Sequence, residues 1–237
     1  MKPATAKQVL AELARRKDAE QAHHLRRFFK TGPGQYGEGD VFWGLRVPQT
    51  RSVLTLFPDV PLSVAEELLH SPVHEVRLFA VLAMAREYRR TDAGGREAVF
   101  SSYLAHARRI NNWDLVDLSA PNVVGRHLPP GKGRNVLKAL VRSDCLWERR
   151  MAMVATLAHI RQDDFHNTFW LAELLLNDPH DLMHKATGWM LREVGKRDAD
   201  ALRLFLDQNA VRLPRTALRY AIERFDSAER RQWRLRR

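Results

Sequence analysis

The chain has 237 residues, of which 45 % are hydrophobic and 28 % are charged, and its formal net charge is +11. This composition excludes a disordered or fibrous protein, and no apolar run approaches the ~20 residues that a membrane span needs. The single cysteine, Cys145, excludes an intrachain disulfide and a multi-cysteine zinc site. The N-terminal segment has charges throughout and no apolar core of a signal peptide, so we expect a cytoplasmic protein.

The charge excess comes from arginine. The chain has 39 basic against 28 acidic residues, and 31 of the basic residues are arginine. Such an excess favours a polyanionic partner, of which nucleic acid is the commonest. A GC-rich genome would also enrich arginine, so the charge alone leaves both explanations open.

The hydrophobic pattern predicts helices along nearly the whole chain, because apolar residues recur at three- and four-residue spacing and no segment alternates with period two. Pro48 suits the start of a helix, Ser63 with Glu66 has the pattern of a capping box, and Pro121 should end or kink the helix around it. The predicted elements, in chain order, are helices around 9–13 and 25–29, a glycine-rich loop at 31–40, a helix from Pro48, a short helix opened by Ser63 and ending near His70, and helices at 73–90, 96–109, 112–126, 134–142, 145–160, 164–177, 181–196, 198–208, 214–225 and 227–235.

These helices also repeat. The segment that begins at residue 73 aligns with the one that begins at residue 146 when Arg77 is placed on Arg150. Equivalent positions then fall on Arg77, Trp113, Arg150 and Thr187, at steps of 36, 37 and 37 residues. A period near 40 in helix pairs is typical of a HEAT-like α-solenoid. We therefore predict an all-α protein with one solenoid domain over residues 1–237.

The repeat predicts which residues share a surface. One helix of each pair lines the concave face of a solenoid, so equivalent positions point the same way. Arg77, Trp113, Arg150 and the region of Trp189 should then lie along one groove, and such a groove suits a curved polyanion.

Two tryptophans of this groove have charged neighbours at helical spacing. Asp117 lies four residues after Trp113 and should share its face, and Lys185 and Arg192 flank Trp189 in the same way. A core tryptophan beside a solvated or capping aspartate would give the same Trp113–Asp117 pattern. An acid in a basic groove would repel phosphate, however, and could instead stabilise a positive charge that develops during a reaction.

Other patterns carry less information. His180 and His184 have the spacing of two metal ligands on a helix, but no third ligand accompanies them, so no metal site is predicted. The PPGKGR segment at 129–134 is an interhelix turn or a contact to one backbone phosphate. The C-terminal RRQWRLRR segment is a solvated helix end or a phosphate-binding arm.

Five segments together resemble the AlkD-type DNA glycosylases, the HEAT-like DNA alkylation repair proteins. Their order and spacing carry the resemblance, which extends from about Leu25 to Phe225. The segments are KTGPGQYGEGDVFWGLRVPQTR, NNWDLVDLSAPNVVG, SDCLWERRMAMVA, HKATGWMLREVGKRD and LPRTALRYAIERF.

The resemblance implies a right-handed α-solenoid whose concave face cradles duplex DNA. It implies removal of cationic alkylated purines, such as 3-methyladenine and 7-methylguanine, without a metal or organic cofactor. We expect a monomer whose partner is duplex DNA. Base flipping, the usual route of glycosylases, and attack on a base that stays stacked in the duplex both remain open.

The resemblance also assigns residues. It places catalysis on Trp113, Asp117 and Trp189, and it places DNA contacts on Arg150 and Arg51. Phe28 stands where some members have a tyrosine near the lesion, which keeps the aromatic face and loses a hydroxyl. The full set of predicted DNA contacts is Arg150, Arg51, Phe28, Arg77, Lys185, Arg192 and Arg215.

The chemistry of such a substrate needs one carboxylate. An N3- or N7-alkylated purine already carries a positive charge and leaves as a neutral base, so no general acid has to protonate it. The charge passes to the deoxyribose, where a carboxylate and aromatic faces can stabilise it. Two other functions remain possible for the same fold: a non-catalytic HEAT-repeat protein that binds DNA structure, and a scaffold for an acidic protein.

Overall fold

The computed structural model describes residues 3–130 and 133–236, and within these ranges the secondary structure is helical. No strand occurs in them, and a single isolated bridge joins Val41 to Val73. The predicted all-α class is therefore confirmed. The helices are α1 (Ala6–Ala14), α2 (Ala19–Phe28), α3 (Val47–Leu56), α4 (Leu62–Leu69), α5 (His74–Arg90), α6 (Ala93–Ala105), a 3-10 turn (Ala107–Arg109), α7 (Trp113–Ser119), α8 (Val124–His127), α9 (Arg134–Val141), α10 (Leu146–Ala155), α11 (Leu157–Ile160), α12 (His166–Leu174), α13 (Asp181–Arg197), α14 (Ala199–Asn209), α15 (Arg215–Ala221) and α16 (Ser227–Leu235).

The chain divides into two compact units, Met1–Ser119 and Ala120–Arg237. In the first unit, α5 is the central helix and packs against α3, α4, α6 and α7. It is buried over almost its whole circumference from His74 to Ala85, which is typical of a helix covered by neighbours on every side.

In the second unit, α13 holds the central place and packs against α10, α12, α14 and α15. Its most extensive packing is with α15, where Gly188 leaves room for the other backbone. A Cβ atom on Gly188 would lie 2.4 Å from the carbonyl oxygen of Ala217. Within the units, α5 packs on α7 and α10 on α13, which is consistent with the predicted helical repeat.

Most predicted helix ends are confirmed. Pro48 lies in the first turn of α3, and α7 ends at Ser119, two residues before Pro121. The prediction of a capping box at Ser63 is wrong. Helix α4 begins at Leu62, and its N-cap is Pro61, which makes no side-chain hydrogen bond. The prediction of one domain over the whole chain stays a prediction. None of the helices in the described part of the chain combines the length and apolar character that a membrane crossing requires.

One buried carboxylate anchors the loop that precedes α3. Glu75, 1 % exposed, accepts hydrogen bonds from the backbone N–H groups of Trp43, Gly44 and Leu45 at 2.7–3.1 Å. Three backbone donors are thereby satisfied by one buried side chain. The same loop passes close to α2, because a Cβ atom on Gly44 would lie 2.1 Å from the carbonyl oxygen of Asp18.

Replacing Gly44 should therefore destabilise the first unit. Gly44 has a φ of +94° and Gly39 has a φ of +84°, but a Cβ atom on Gly39 would meet nothing within 4 Å. We expect Gly39→Ala to lower the free energy of unfolding by about 1 kcal/mol through backbone strain alone. Gly44→Ala should lower it by about 2 kcal/mol or more, because the loop must also move away from α2. Urea unfolding of both variants checks this, and equal losses would contradict it.

Candidate active site

An open cavity of about 330 Å³ lies in the first unit, and its walls are mostly aromatic and aliphatic. Two carboxylates also line it, so the cavity combines an apolar surface with acidic groups. The aromatic lining is Phe28, Phe29, Phe42 and Trp113, and the ionisable lining is Arg46, His74, Asp114 and Asp117.

Trp113 and Asp117 both lie on α7 and both line this cavity. The expectation that the two side chains share a helix face is therefore confirmed. Each is partly exposed, so a molecule in the cavity could touch both. The ring of Trp113 stacks on Phe29, with centroids 5.2 Å apart and ring planes 19° apart.

Phe28 forms the outer edge of the aromatic group. Its side chain is 63 % exposed, and its ring meets the ring of Trp113 in an edge contact at 5.8 Å. A large exposed aromatic ring at the mouth of an apolar cavity is an unusual feature for a surface that stays in water. Phe28 is thus placed to contact whatever enters.

A buried polar network holds the start of α7 behind this cavity. His74 donates from Nδ1 to Oδ2 of Asp40 at 3.2 Å and from Nε2 to Oδ2 of Asp114 at 2.9 Å. Asn112 donates to the same oxygen of Asp40 at 3.1 Å, and its own oxygen accepts the N–H of Trp113 at 2.8 Å. The residues before and after Trp113 are therefore both fixed by one network.

The charge of His74 follows from its neighbours. Burial would lower the pKa of this imidazole, but the charge and hydrogen bond of Asp114, with those of Asp40, outweigh burial and raise the pKa to about 9. The cationic ring stacks on Phe42 at 4.6 Å and lies 4.8 Å from Phe29. The aromatic wall is therefore backed by a cationic imidazole that is paired with two carboxylates, Asp40 and Asp114.

Arg77 belongs to the same network rather than to an exposed groove. It is 3 % exposed, and its guanidinium donates to Oδ1 of Asp40 at 2.6 Å and to the carbonyl of Ser71 at 3.0 Å. These contacts argue against the predicted contact between Arg77 and DNA. If Arg77 turned towards DNA, the buried carboxylate of Asp40 would lose this cation, which is energetically costly. The network also helps to keep the pKa of Asp40 below its usual range, although burial opposes this.

Arg150, the repeat equivalent of Arg77, is also buried. Its exposed fraction is 5 %, and its Nη1 donates to the carbonyl oxygen of Leu182 at 2.6 Å. In the second unit it therefore joins α10 to the first turn of α13. This contact argues against its predicted role as a DNA contact and favours a structural one.

The other predicted residues of α13 lie at the surface of the second unit. Trp189 is half-buried and donates from Nε1 to Glu193 at 3.0 Å. Lys185 pairs with Asp181 at 2.7 Å, and Arg192 pairs with Glu223. Phosphate would have to compete with these carboxylates for both cations.

Arg51 of α3 and Arg215 of α15 are exposed and remain predicted DNA contacts. The two histidines with metal-like spacing have other partners: His180 accepts the N–H of Leu182, and His184 contacts the carbonyl of Asp178 at 2.6 Å. In the PPGKGR turn, Gly131 and Lys132 lie outside the described residues.

Sequence patterns single out neither His74 nor Asp40. His74 precedes Glu75 at the start of a strong helix and looks like an ordinary first-turn residue. Asp40 is the last residue of the glycine-rich loop. An acidic residue at the end of a loop with four glycines is the one sequence signal that the loop places a polar side chain in the interior.

The chain belongs to the DNA alkylation repair enzyme family, whose profile matches residues 9–225. Its role is therefore in the repair of alkylated DNA, and DNA is its substrate.

One solved structure, described as a predicted DNA alkylation repair enzyme from Enterococcus faecalis, has the same fold. The match has a TM-score of 0.67 and 17 % sequence identity, and it covers 89 % of this chain and 97 % of the other. A comparison with curated proteins gives no significant match.

Proposed function

We propose that the protein is a monofunctional DNA glycosylase that hydrolyses the N-glycosidic bond of cationic alkylated purines, of the 3-methyladenine and 7-methylguanine type, in duplex DNA. The observation that carries this proposal is the pairing of Trp113 with Asp117 at the open aromatic cavity. Membership of the DNA alkylation repair enzyme family indicates that the substrate polymer is DNA, and the net charge of +11 favours binding to DNA.

The reaction requires little from the protein because the leaving group is already activated. As the bond between C1′ and the purine nitrogen breaks, its electron pair moves to the purine, which leaves as a neutral base. The deoxyribose becomes an oxocarbenium ion, and water then attacks C1′ and loses a proton. No general acid takes part in this sequence.

Asp117 is the group that acts on the sugar in this proposal. Its carboxylate stabilises the oxocarbenium ion and orients the attacking water, which is half of the two-carboxylate scheme of glycoside hydrolases. Asp114 is less suited, because it is only 5 % exposed. The partial exposure of Asp117 leaves its position open to a substrate.

The aromatic residues stabilise the same cation through their π faces. Trp113 is the central one, because its ring is stacked on Phe29 and its backbone is fixed by Asn112. The resemblance of the sequence assigns the same role to Trp189. The His74 network positions Trp113 and does not itself touch the sugar in this scheme.

The proposal is tested by incubating the protein with duplex DNA that has been methylated on purines and measuring free bases by chromatography. We expect 3-methyladenine and 7-methylguanine to appear with time, and unmethylated duplex to release no base. Salt-sensitive binding to DNA without any release would instead favour a non-catalytic protein that binds DNA. Binding to acidic peptides but not to DNA would favour a scaffold.

A substitution at Phe28 should separate catalysis from folding. Phe28 is largely exposed, so Phe28→Ala should leave the free energy of unfolding almost unchanged. We expect the single-turnover rate of base release to fall about tenfold, which corresponds to the loss of about 1.4 kcal/mol of aromatic contact. Phe28→Tyr keeps the aromatic face and should keep most of the rate. Equal rates for the wild type and Phe28→Ala would exclude a contact with the substrate.

A further inference from the structure

Three arginine side chains meet at a second opening, which lies in the second unit. The cavity has a volume of about 360 Å³ and is lined by Arg215 and Arg219 of α15 and by Arg234 of α16. Thr216 and Leu218 complete its wall. All three arginines are exposed.

None of these three arginines forms an ion pair with a carboxylate in residues 3–130 and 133–236. Arg215 donates from Nη2 to the carbonyl oxygen of Arg234 at 2.8 Å, which ties α15 to α16. The guanidinium of Arg219 lies 5.8 Å from the ring centroid of Tyr220. Three like charges thus border one cavity, and no carboxylate of the described residues pairs with any of them.

The acidic residues of this region are engaged elsewhere. Glu223 pairs with Arg192, and Glu229 pairs with Arg203. Asp226 accepts the N–H of Glu229 and caps α16. The positive charge at the cavity is therefore not cancelled by the three acids of the C-terminal 27 residues.

One further carboxylate approaches the cavity from α13. Asp181 pairs with Lys185 at 2.7 Å, and it accepts a hydrogen bond from the hydroxyl of Thr216. Lys185 already neutralises Asp181, so the net charge around the cavity stays close to that of the three arginines.

We propose that this cavity binds one phosphate of the DNA backbone and that α16 thereby extends the DNA-binding surface. A guanidinium presents two parallel donors that match the oxygens of a phosphate, and a bound anion relieves the repulsion among the three cations. The family match ends at residue 225, so Arg234 is supplied by a helix outside it. This inference rests on the proposed function only in taking duplex DNA as the ligand.

The test measures binding of the full chain to unmodified duplex DNA as a function of salt. Arg219→Gln and Arg234→Gln should each weaken binding and lower the slope of log K against log salt by about one. Arg224→Gln and Arg231→Gln are the matched controls, because both remove an exposed arginine of the same region that does not line the cavity. The controls should change the slope less. Arg234→Lys should restore the slope, since it keeps the charge.

Equal effects of all four glutamine variants, or no effect of any, would overturn the inference, because binding would then follow diffuse charge. A third measurement distinguishes the source of the phosphate. Inorganic phosphate, compared with chloride at equal ionic strength, should weaken DNA binding by the wild type more than DNA binding by Arg234→Gln, because phosphate and DNA would compete for the same arginines; phosphate binding that depends on Arg234 but leaves DNA binding unchanged would identify a small-anion site and contradict a backbone contact. The binding measurements need no base release, so failure of the glycosylase proposal is seen separately in the release assay.

Discussion

The Asp117→Asn variant should release 7-methylguanine at least about a hundredfold more slowly than the wild type, because it removes the charge that stabilises the oxocarbenium ion. Asparagine has the same shape as aspartate, so the cavity and the Trp113–Phe29 stack should persist. Binding to unmodified duplex should be equal or slightly tighter, since a negative charge is lost from a surface that faces phosphate. Single-turnover release with protein in excess separates the two effects.

The control for this substitution is Asp59→Asn, which removes an exposed carboxylate of the same unit away from the cavity. It should retain the wild-type rate of release. A wild-type rate in Asp117→Asn would exclude Asp117 as the stabilising group. Equal losses in both variants would trace the effect to net charge rather than to position.

The stability of the protein should fall as the pH rises from about 6.5 to about 9, because the raised pKa of His74 couples folding to protonation. The pKa of this histidine is raised from 6.5 to about 9 in the folded protein, so the folded state binds the proton more tightly than the unfolded state does. The contribution is fully present below about pH 6.5 and is lost as the pH passes about 9. The shift corresponds to about 3 kcal/mol.

Urea unfolding across this range measures the effect. In His74→Gln the folded state no longer holds the proton, so its free energy of unfolding should depend much less on pH. His166→Gln is the control, because His166 is exposed and outside the network, and it should keep the wild-type profile. Parallel profiles for the wild type and His74→Gln would show that the imidazole is not charged between Asp40 and Asp114.

Much of the fold follows from local signals. The three- and four-residue spacing of apolar side chains predicts the helices, and Pro48 and Pro121 set two of their ends through the rigidity of proline. Ser63 is not the cap, because the N-cap position falls on Pro61, two residues earlier, and the helix begins at Leu62. A capping pattern identifies a side chain that is able to cap a helix, but this helix begins at a different residue.

The candidate site is less completely predictable. The spacing of Trp113 and Asp117 depends only on helix geometry, so the sequence suffices to place them on one face. The burial of Arg77 could not be predicted, because its partner, Asp40, lies 37 residues away in the chain. The charge and partners of His74 could not be predicted for the same reason, since the two carboxylates that it contacts lie 34 and 40 residues away in the chain. Burial and charge at these residues are set by tertiary contacts that no short pattern contains.

The most direct test of the central claim uses a duplex with a single 7-methylguanine and protein in excess, in water enriched in oxygen-18. We predict that free 7-methylguanine and abasic strand appear in equal amounts and at the same rate, with the label on C1′ of the abasic sugar. Tight binding of this duplex by the wild type without release of the base would contradict hydrolysis at the Trp113–Asp117 cavity.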